Sequence, residues 1–277
     1  MQHGYHSTVE SLWISFALSL VAVVYLHRWL RVAWLVSDGI KGWRASSFFV
    51  GLLLVWTALC SPLSLLDHDL LTAHMIQHLL LMTLAPPLIW LGEPLKLLPQ
   101  RPMQRRKRVV FHPAVGWVGA TAVLVAWHIP SIFMLGLRSD MWHGIEQASF
   151  LASGILFWWP VVEPSQSGLK WPEPSLLLYL FLATLPCDIL SGFLVFCDRV
   201  VYTIYLSSPT RFGFTALEDQ QCAGALMWTC VTVVYLIAAA IFTARLLSHR
   251  SVEVAIPKLD TPYSAPRHTA PHEMEAV

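Results

Sequence analysis

The stretch TAHMIQHLLLMTLAPPLIWLG (Thr72–Gly92) decides the fold. A helix crossing a bilayer needs about 20 mostly apolar residues, and this segment supplies them. Yet its first turns carry His74 and His78. Ionisable side chains inside a membrane are costly and usually functional. Four residues apart on a helix, the two imidazoles share one face about 6 Å apart along the axis, close enough to chelate one ion. Pro86 and Pro87 remove two backbone donors from the far half, which predicts a kink.

The rest of the chain has the same character. Of 277 residues, 56% are hydrophobic and 13% charged, against about 25% charged in soluble domains. Mean hydropathy is +0.57. The expected fold is therefore all-α: a polytopic membrane protein with seven spans, at 9–28, 46–66, 71–92, 112–136, 145–163, 175–197 and 221–247. A seven-helix transmembrane domain over 1–250 is followed by a polar, Pro-containing tail, 251–277, expected to be mobile. A net charge of +1 gives no footprint for nucleic acid; the partner implied by composition is the lipid bilayer. The five cysteines form no CxxC pair and suggest no disulfide framework.

Charge placement orients the chain. Before Ser11 there is no Lys or Arg, so the positive region of a signal peptide is missing. Arg28, Arg31, Lys41 and Arg44 follow the first span. Lys96, Arg101, Arg105, Arg106, Lys107 and Arg108 follow the third, with Lys170, Arg245, Arg250, Lys258 and Arg267 on the same side. The other side has Arg138, Arg199 and Arg211. The positive-inside rule predicts the N-terminus outside and the C-terminus cytoplasmic.

In that orientation five of the twelve histidines gather at the outer face: His68, His74, His78, His128 in AWHIP and His143 in MWHGIEQ. Asp67 and Asp69 sit in the turn before the third span, and Asp219 and Gln220 open the seventh. His68 taken alone reads as a residue bonding a carbonyl or the headgroups. Met75, Met82, Met134 and Met227 read first as packing residues, as do Cys60, Cys197 and Cys222. Asp188, mid-way along the sixth span between Pro186 and Gly192, needs a partner, water or a proton.

HMIQH lacks the Glu of HExxH, which disfavours a zinc hydrolase. Imidazoles with optional thioether or thiolate neighbours suit copper. Haem is the rival, because histidines on neighbouring helices can be axial ligands. A retinal protein needs a lysine in its last span, and no lysine lies in any span.

Four segments carry a family resemblance. HMIQHLLLMTLAPPLIWLGEP (His74–Pro94), AWHIP (Ala126–Pro130), HGIEQASFLASGILFWWPVV (His143–Val162) and DQQCAGALMW (Asp219–Trp228) resemble, in order, the signature elements of the CtaG-type cytochrome c oxidase assembly proteins of bacteria. The resemblance implies a multi-pass protein of the bacterial cytoplasmic membrane needed to build a haem–copper oxidase. An oxidase subunit is the expected partner and copper supply the expected role. Carried over by position, the candidates are His74, His78, His128, His143, Asp219 and Gln220. The chain departs from the pattern at Gln147, where relatives often carry His, and at Cys222, which replaces an aliphatic residue.

These readings predict a copper site walled by the outer ends of the third, fourth, fifth and seventh spans. His74 and His78 are the primary ligands, and His128 or His143 completes the set. Asp219 or Gln220 orients an imidazole; Met75, His68 and Cys222 are further possible ligands. No substrate bond is broken, so no enzyme is expected. The alternatives are a haem-binding membrane protein and a cofactor-free scaffold for oxidase subunits.

Overall fold

The computed structural model describes residues 2–35, 41–97, 112–162, 173–207, 213 and 215–255. The basic positions Arg101, Arg105, Arg106, Lys107, Arg108, Lys170 and Arg211, and the tail from residue 256, lie outside the described residues. Among the described residues there is no strand. The helices are α1 (Gln2–Leu35), α2 (Gly42–Cys60), the single turn α3 (Leu63–Leu66), α4 (Leu71–His78), α5 (Ala85–Leu91), α6 (Pro113–His128), α7 (Pro130–Arg138), α8 (Asp140–Val162), α9 (Glu173–Phe196) and α10 (Ala216–Ala255). Six helical segments are long and apolar enough to cross a membrane, or seven if the bent pair α6–α7 counts as one. The chain is a multi-pass membrane protein.

That bent pair departs from the straight span expected over 112–136. The two helices meet at 79°. Pro130 forces Ile129 into extended backbone (φ −66°, ψ 124°), as a residue before proline prefers. Helix α6 alone, 16 residues or about 24 Å, falls short of the ~30 Å hydrocarbon core. The break leaves His128 as the last residue of α6, turned into the bundle.

The Thr72–Gly92 segment also departs from a uniform helix. Between α4 and α5 runs a π-helical stretch, Leu79–Leu84, closed by an Ala85 N–H that reaches back to the Leu80 carbonyl. Its cause is the proline pair. Pro86 cannot donate to the Met82 carbonyl four residues earlier, so the ladder widens. That carbonyl accepts instead from Trp158 Nε1 of α8 at 3.2 Å. Beside it, Gly154 of α8 comes so close that a Cβ there would stand 2.6 Å from the same oxygen. The widened turn thus presses α8 against the histidine-bearing helix.

Two cores flank this contact. One joins α4, α7, α8, α9 and α10 through Met75, Phe133, Phe157, Trp158, Tyr179, Met227 and Tyr235. The other joins α2 to α8 through Val55, Ala58, Leu81, Trp127 and Phe150. Helix α1 lies at the edge. Its Tyr25 stacks on Phe48 at 3.8 Å and donates to the Gly92 carbonyl at 2.8 Å. Its Leu12, Trp13, Phe16 and Leu20 are exposed, the surface a lipid-facing helix presents. At that end of the bundle Glu93 pairs with Arg44 and Lys96.

Candidate metal centre

The start of α4, the end of α6, the start of α8, the start of α10 and the turn around Asp67 all lie at one end of the bundle. His74 and His78 stand side by side there, ring centroids 4.3 Å apart, and both are buried. Each places Nε2 3.4 Å from Oε1 of Glu146. Glu146 is 0% exposed. His143, one turn earlier on α8, brings Nδ1 to 3.7 Å from the other Glu146 oxygen. Three imidazoles thus surround one buried carboxylate.

None of these approaches has hydrogen-bond geometry. Both nitrogens of His74, both of His78, Nδ1 of His143 and both oxygens of Glu146 are buried without a hydrogen-bond partner. Buried polar groups are nearly always paired, and each orphan costs about 1–3 kcal/mol. A bound ion removes the cost. The donors of His74, His78 and Glu146 lie within 4.8 Å of one another, as do those of Asp67, His74 and His143. Ligands held at about 2.1 Å by a tetrahedral ion stand ~3.4 Å apart, the spacing found between each imidazole and Glu146.

Asp67 orients His143. Its Oδ2 lies 3.2 Å from His143 Nε2, with the Gln147 amide 2.6 Å from the same nitrogen. An amide N–H can only donate, so Nε2 donates to Asp67 when the Gln147 amide is turned to present its oxygen; that tautomer leaves the Nδ1 lone pair facing Glu146, the arrangement in which a carboxylate backs a metal-binding imidazole. Burial alone would raise the Asp67 carboxyl. The hydrogen bond and charge of His143, with His68 and His74 beyond, outweigh it and hold the group below its ordinary value.

The expected residues divide. His74, His78 and His143 come together. His128 stands one layer deeper, its ring 6.1 Å from that of His78, outside the donor groups. Its Nδ1 lies 2.7 Å from the Leu124 carbonyl and must donate there, so Nε2 keeps its lone pair, buried and unpartnered. His68 is largely exposed, 3.8 Å from Asp67 and with its ring 6.0 Å from that of His143. Cys222 is exposed and apart from the cluster. Met75 is buried beside His74. Asp188, on α9, is remote, its Oδ1 buried without a partner.

Asp219 and Gln220 bond backbone rather than an imidazole. Asp219 accepts from the N–H of Leu71 at 2.7 Å and of Thr72 at 3.1 Å. The carboxylate thereby caps α4, whose own N-cap, Leu70, offers no oxygen. Gln220 accepts from Val201 N–H at 2.7 Å and donates to the Arg199 carbonyl at 3.1 Å, fixing the loop before α10. That loop carries Tyr202, which donates to the His128 carbonyl at 3.0 Å, and Tyr205, which donates to the Asp67 carbonyl at 2.8 Å. Burial raises both phenols, so they stay protonated donors. The DQQ element holds the site's frame from one step outside it.

Glu146 and Asp67 were not singled out as ligands from sequence. Glu146 carried a usable signal: a carboxylate three residues after a histidine within an apolar span. Asp67 carried none, being one of two acids in a polar turn.

Comparisons with known proteins show the family. A family profile described as "Cytochrome c oxidase caa3 assembly factor" matches residues 23–249. The chain belongs to the caa3 assembly factor family. This is a family of assembly factors for cytochrome c oxidase. Two uncharacterized proteins, from Mycobacterium bovis and Mycobacterium tuberculosis, are each 24% identical over 215 residues. The match covers 67% of this chain and 32% of each relative, so the chain spans about a third of the length of the curated relatives it matches. No solved structure matches at a significant level.

Proposed function

We propose that this caa3 assembly factor binds copper at His74, His78 and Glu146, with His143 as a further ligand, and delivers it to a haem–copper oxidase subunit during assembly. The observation that carries the reading is the buried set of imidazoles and one carboxylate whose polar atoms have no hydrogen-bond partner. Imidazole nitrogen and carboxylate oxygen suit divalent copper. The ion is cargo, and no substrate bond is broken. The adjoining cavity, about 40 Å³, takes a bare ion or a water rather than a porphyrin, which favours copper over haem.

Positive charge follows the first and third spans, which supports a cluster at the outer face of the bacterial cytoplasmic membrane and a cytoplasmic C-terminus. A ligand set at a helix end, near water, allows the ion to leave toward a partner docked there.

The test is copper content of purified wild type beside His74→Ala/His78→Ala, read with oxidase activity in the same cells. The expected result is bound copper in wild type, less in the variant, and a parallel loss of oxidase activity. Equal copper in both proteins refutes the reading. Equal copper-free proteins with intact dependence of the oxidase on this chain favour the cofactor-free scaffold.

A further inference from the structure

Beneath the cluster lies a second set of ligand atoms of different chemistry. A cavity of about 40 Å³ is lined by Met75, Met82, Met227 and Cys187, together with His78 and His128. The side chains come from α4, the π-helical stretch, α6, α9 and α10. Met75, Met227 and Cys187 are almost wholly buried. Helix α6 contributes through the break at Ile129, which leaves His128 with Nδ1 tied to a carbonyl and Nε2 unpartnered.

Methionine in a core is ordinarily a gap filler. A core filled for packing alone would use that flexibility to close. Here a space remains, and its otherwise largely apolar wall includes three methionines, a cysteine and two histidines whose nitrogens lack a full set of partners. A purely apolar cavity stays dry and needs no such groups. Thioether, thiol and imidazole are soft or borderline ligands, and they select monovalent copper over divalent. The space admits a dehydrated ion. Glu146, the hard anionic ligand of the upper cluster, is not among the lining residues.

We infer that this sulfur-lined cavity is a separate binding site for a monovalent soft metal ion, Cu(I) in the cell, with Met82, Met227 and His128 as ligands and His78 shared with the cluster above. The inference deepens the copper reading and rests on it for the ion's identity. The upper cluster takes copper through nitrogen and oxygen, the lower through sulfur and nitrogen. Because His78 belongs to both, occupation of one affects the other.

The experiment uses the full chain in detergent, with Ag(I) as a redox-inert probe for the cavity and Cu(II) for the cluster. Wild type is expected to bind Ag(I) with sulfur neighbours in its X-ray absorption spectrum. Met82→Leu/Met227→Leu, which conserves volume, is expected to weaken Ag(I) at least tenfold and leave Cu(II) affinity within twofold. Glu146→Gln is expected to do the reverse. The inference is overturned if the wild-type silver spectrum contains only nitrogen and oxygen neighbours, a result that needs no variant to fold. It is equally overturned if the double leucine variant binds Ag(I) as wild type does. Failure of wild type to bind Cu(II), with silver–sulfur contacts present, removes the upper site and leaves the cavity site standing.

Discussion

Gly136→Ala is a single methyl group aimed at the centre of the site. Gly136 lies on α7, and a Cβ built there stands 2.7 Å from Oε2 of Glu146, with Trp127 at an ordinary 3.7 Å. Restoring a normal contact requires the carboxylate oxygen to retreat by about 0.7 Å. The far end of a flexible side chain can do this. The cost is an off-rotamer glutamate, about 0.5–1.5 kcal/mol, largely offset by the ~1 kcal/mol gained on replacing glycine with alanine in a helix. Stability should therefore hardly change. Metal geometry is less forgiving, since ligand distances hold to about ±0.2 Å. A displacement several times larger should weaken copper about 10–100-fold. The assay is competition against a chelator of known affinity, with thermal unfolding on the same samples. Gly119→Ala is the control, because nothing lies within 4 Å of a Cβ there. Copper affinity within twofold of wild type in Gly136→Ala refutes the placement of Glu146. So does a loss confined to stability.

Three other perturbations follow from the frame. Asp219→Ala removes the cap of α4, and with charge-assisted bonds worth about 1.5–3 kcal/mol each as the upper bound and a typical cap near 1 kcal/mol, unfolding should come at least ~1 kcal/mol earlier and copper should weaken with it; an unchanged midpoint contradicts the cap. Gly154→Ala drives a methyl into the Met82 carbonyl and its Cα, at 2.6 and 2.8 Å, backbone that cannot give, so poor folding or a markedly lower midpoint is expected, and a wild-type midpoint counts against the close contact of α8 with the π-helical turn. Asp67, held below its ordinary value of 3.8, contributes stability that is present above that value and lost as the pH falls through the folded one; the gap in midpoint between wild type and Asp67→Asn should narrow as the pH is lowered below that ordinary value, and a constant gap argues against the Asp67–His143 bond.

The local periodicities were legible because they are local. His74 and His78 share a face by helix geometry alone, and long apolar runs announce the spans. Pro86 and Pro87 announced an interruption, but its form was not readable. The prolines widen the ladder locally, but Trp158, which takes up the freed carbonyl, and Gly154 beside it lie more than 60 positions away. Pro130 also stood in plain view, yet the apolar run on both sides of it hid the 79° bend, so His128 was expected at the depth of the other histidines. Glu146 looks like an ordinary interfacial acid until α7 and α4 close over it. Asp219 and Gln220 were expected to orient an imidazole, and their side chains bond backbone instead. Their partners are backbone groups of Leu71, Thr72 and Val201, and no side-chain pattern marks a backbone partner.

The central claim is that His74, His78 and Glu146 share one ion. Pulsed electron paramagnetic resonance of the Cu(II)-loaded chain tests it most directly, because coupling to the remote ring nitrogen counts coordinated imidazoles. At least two imidazoles are expected in wild type, with one lost in each of His74→Ala and His78→Ala. A spectrum without imidazole coupling, or one that neither substitution changes, contradicts the account.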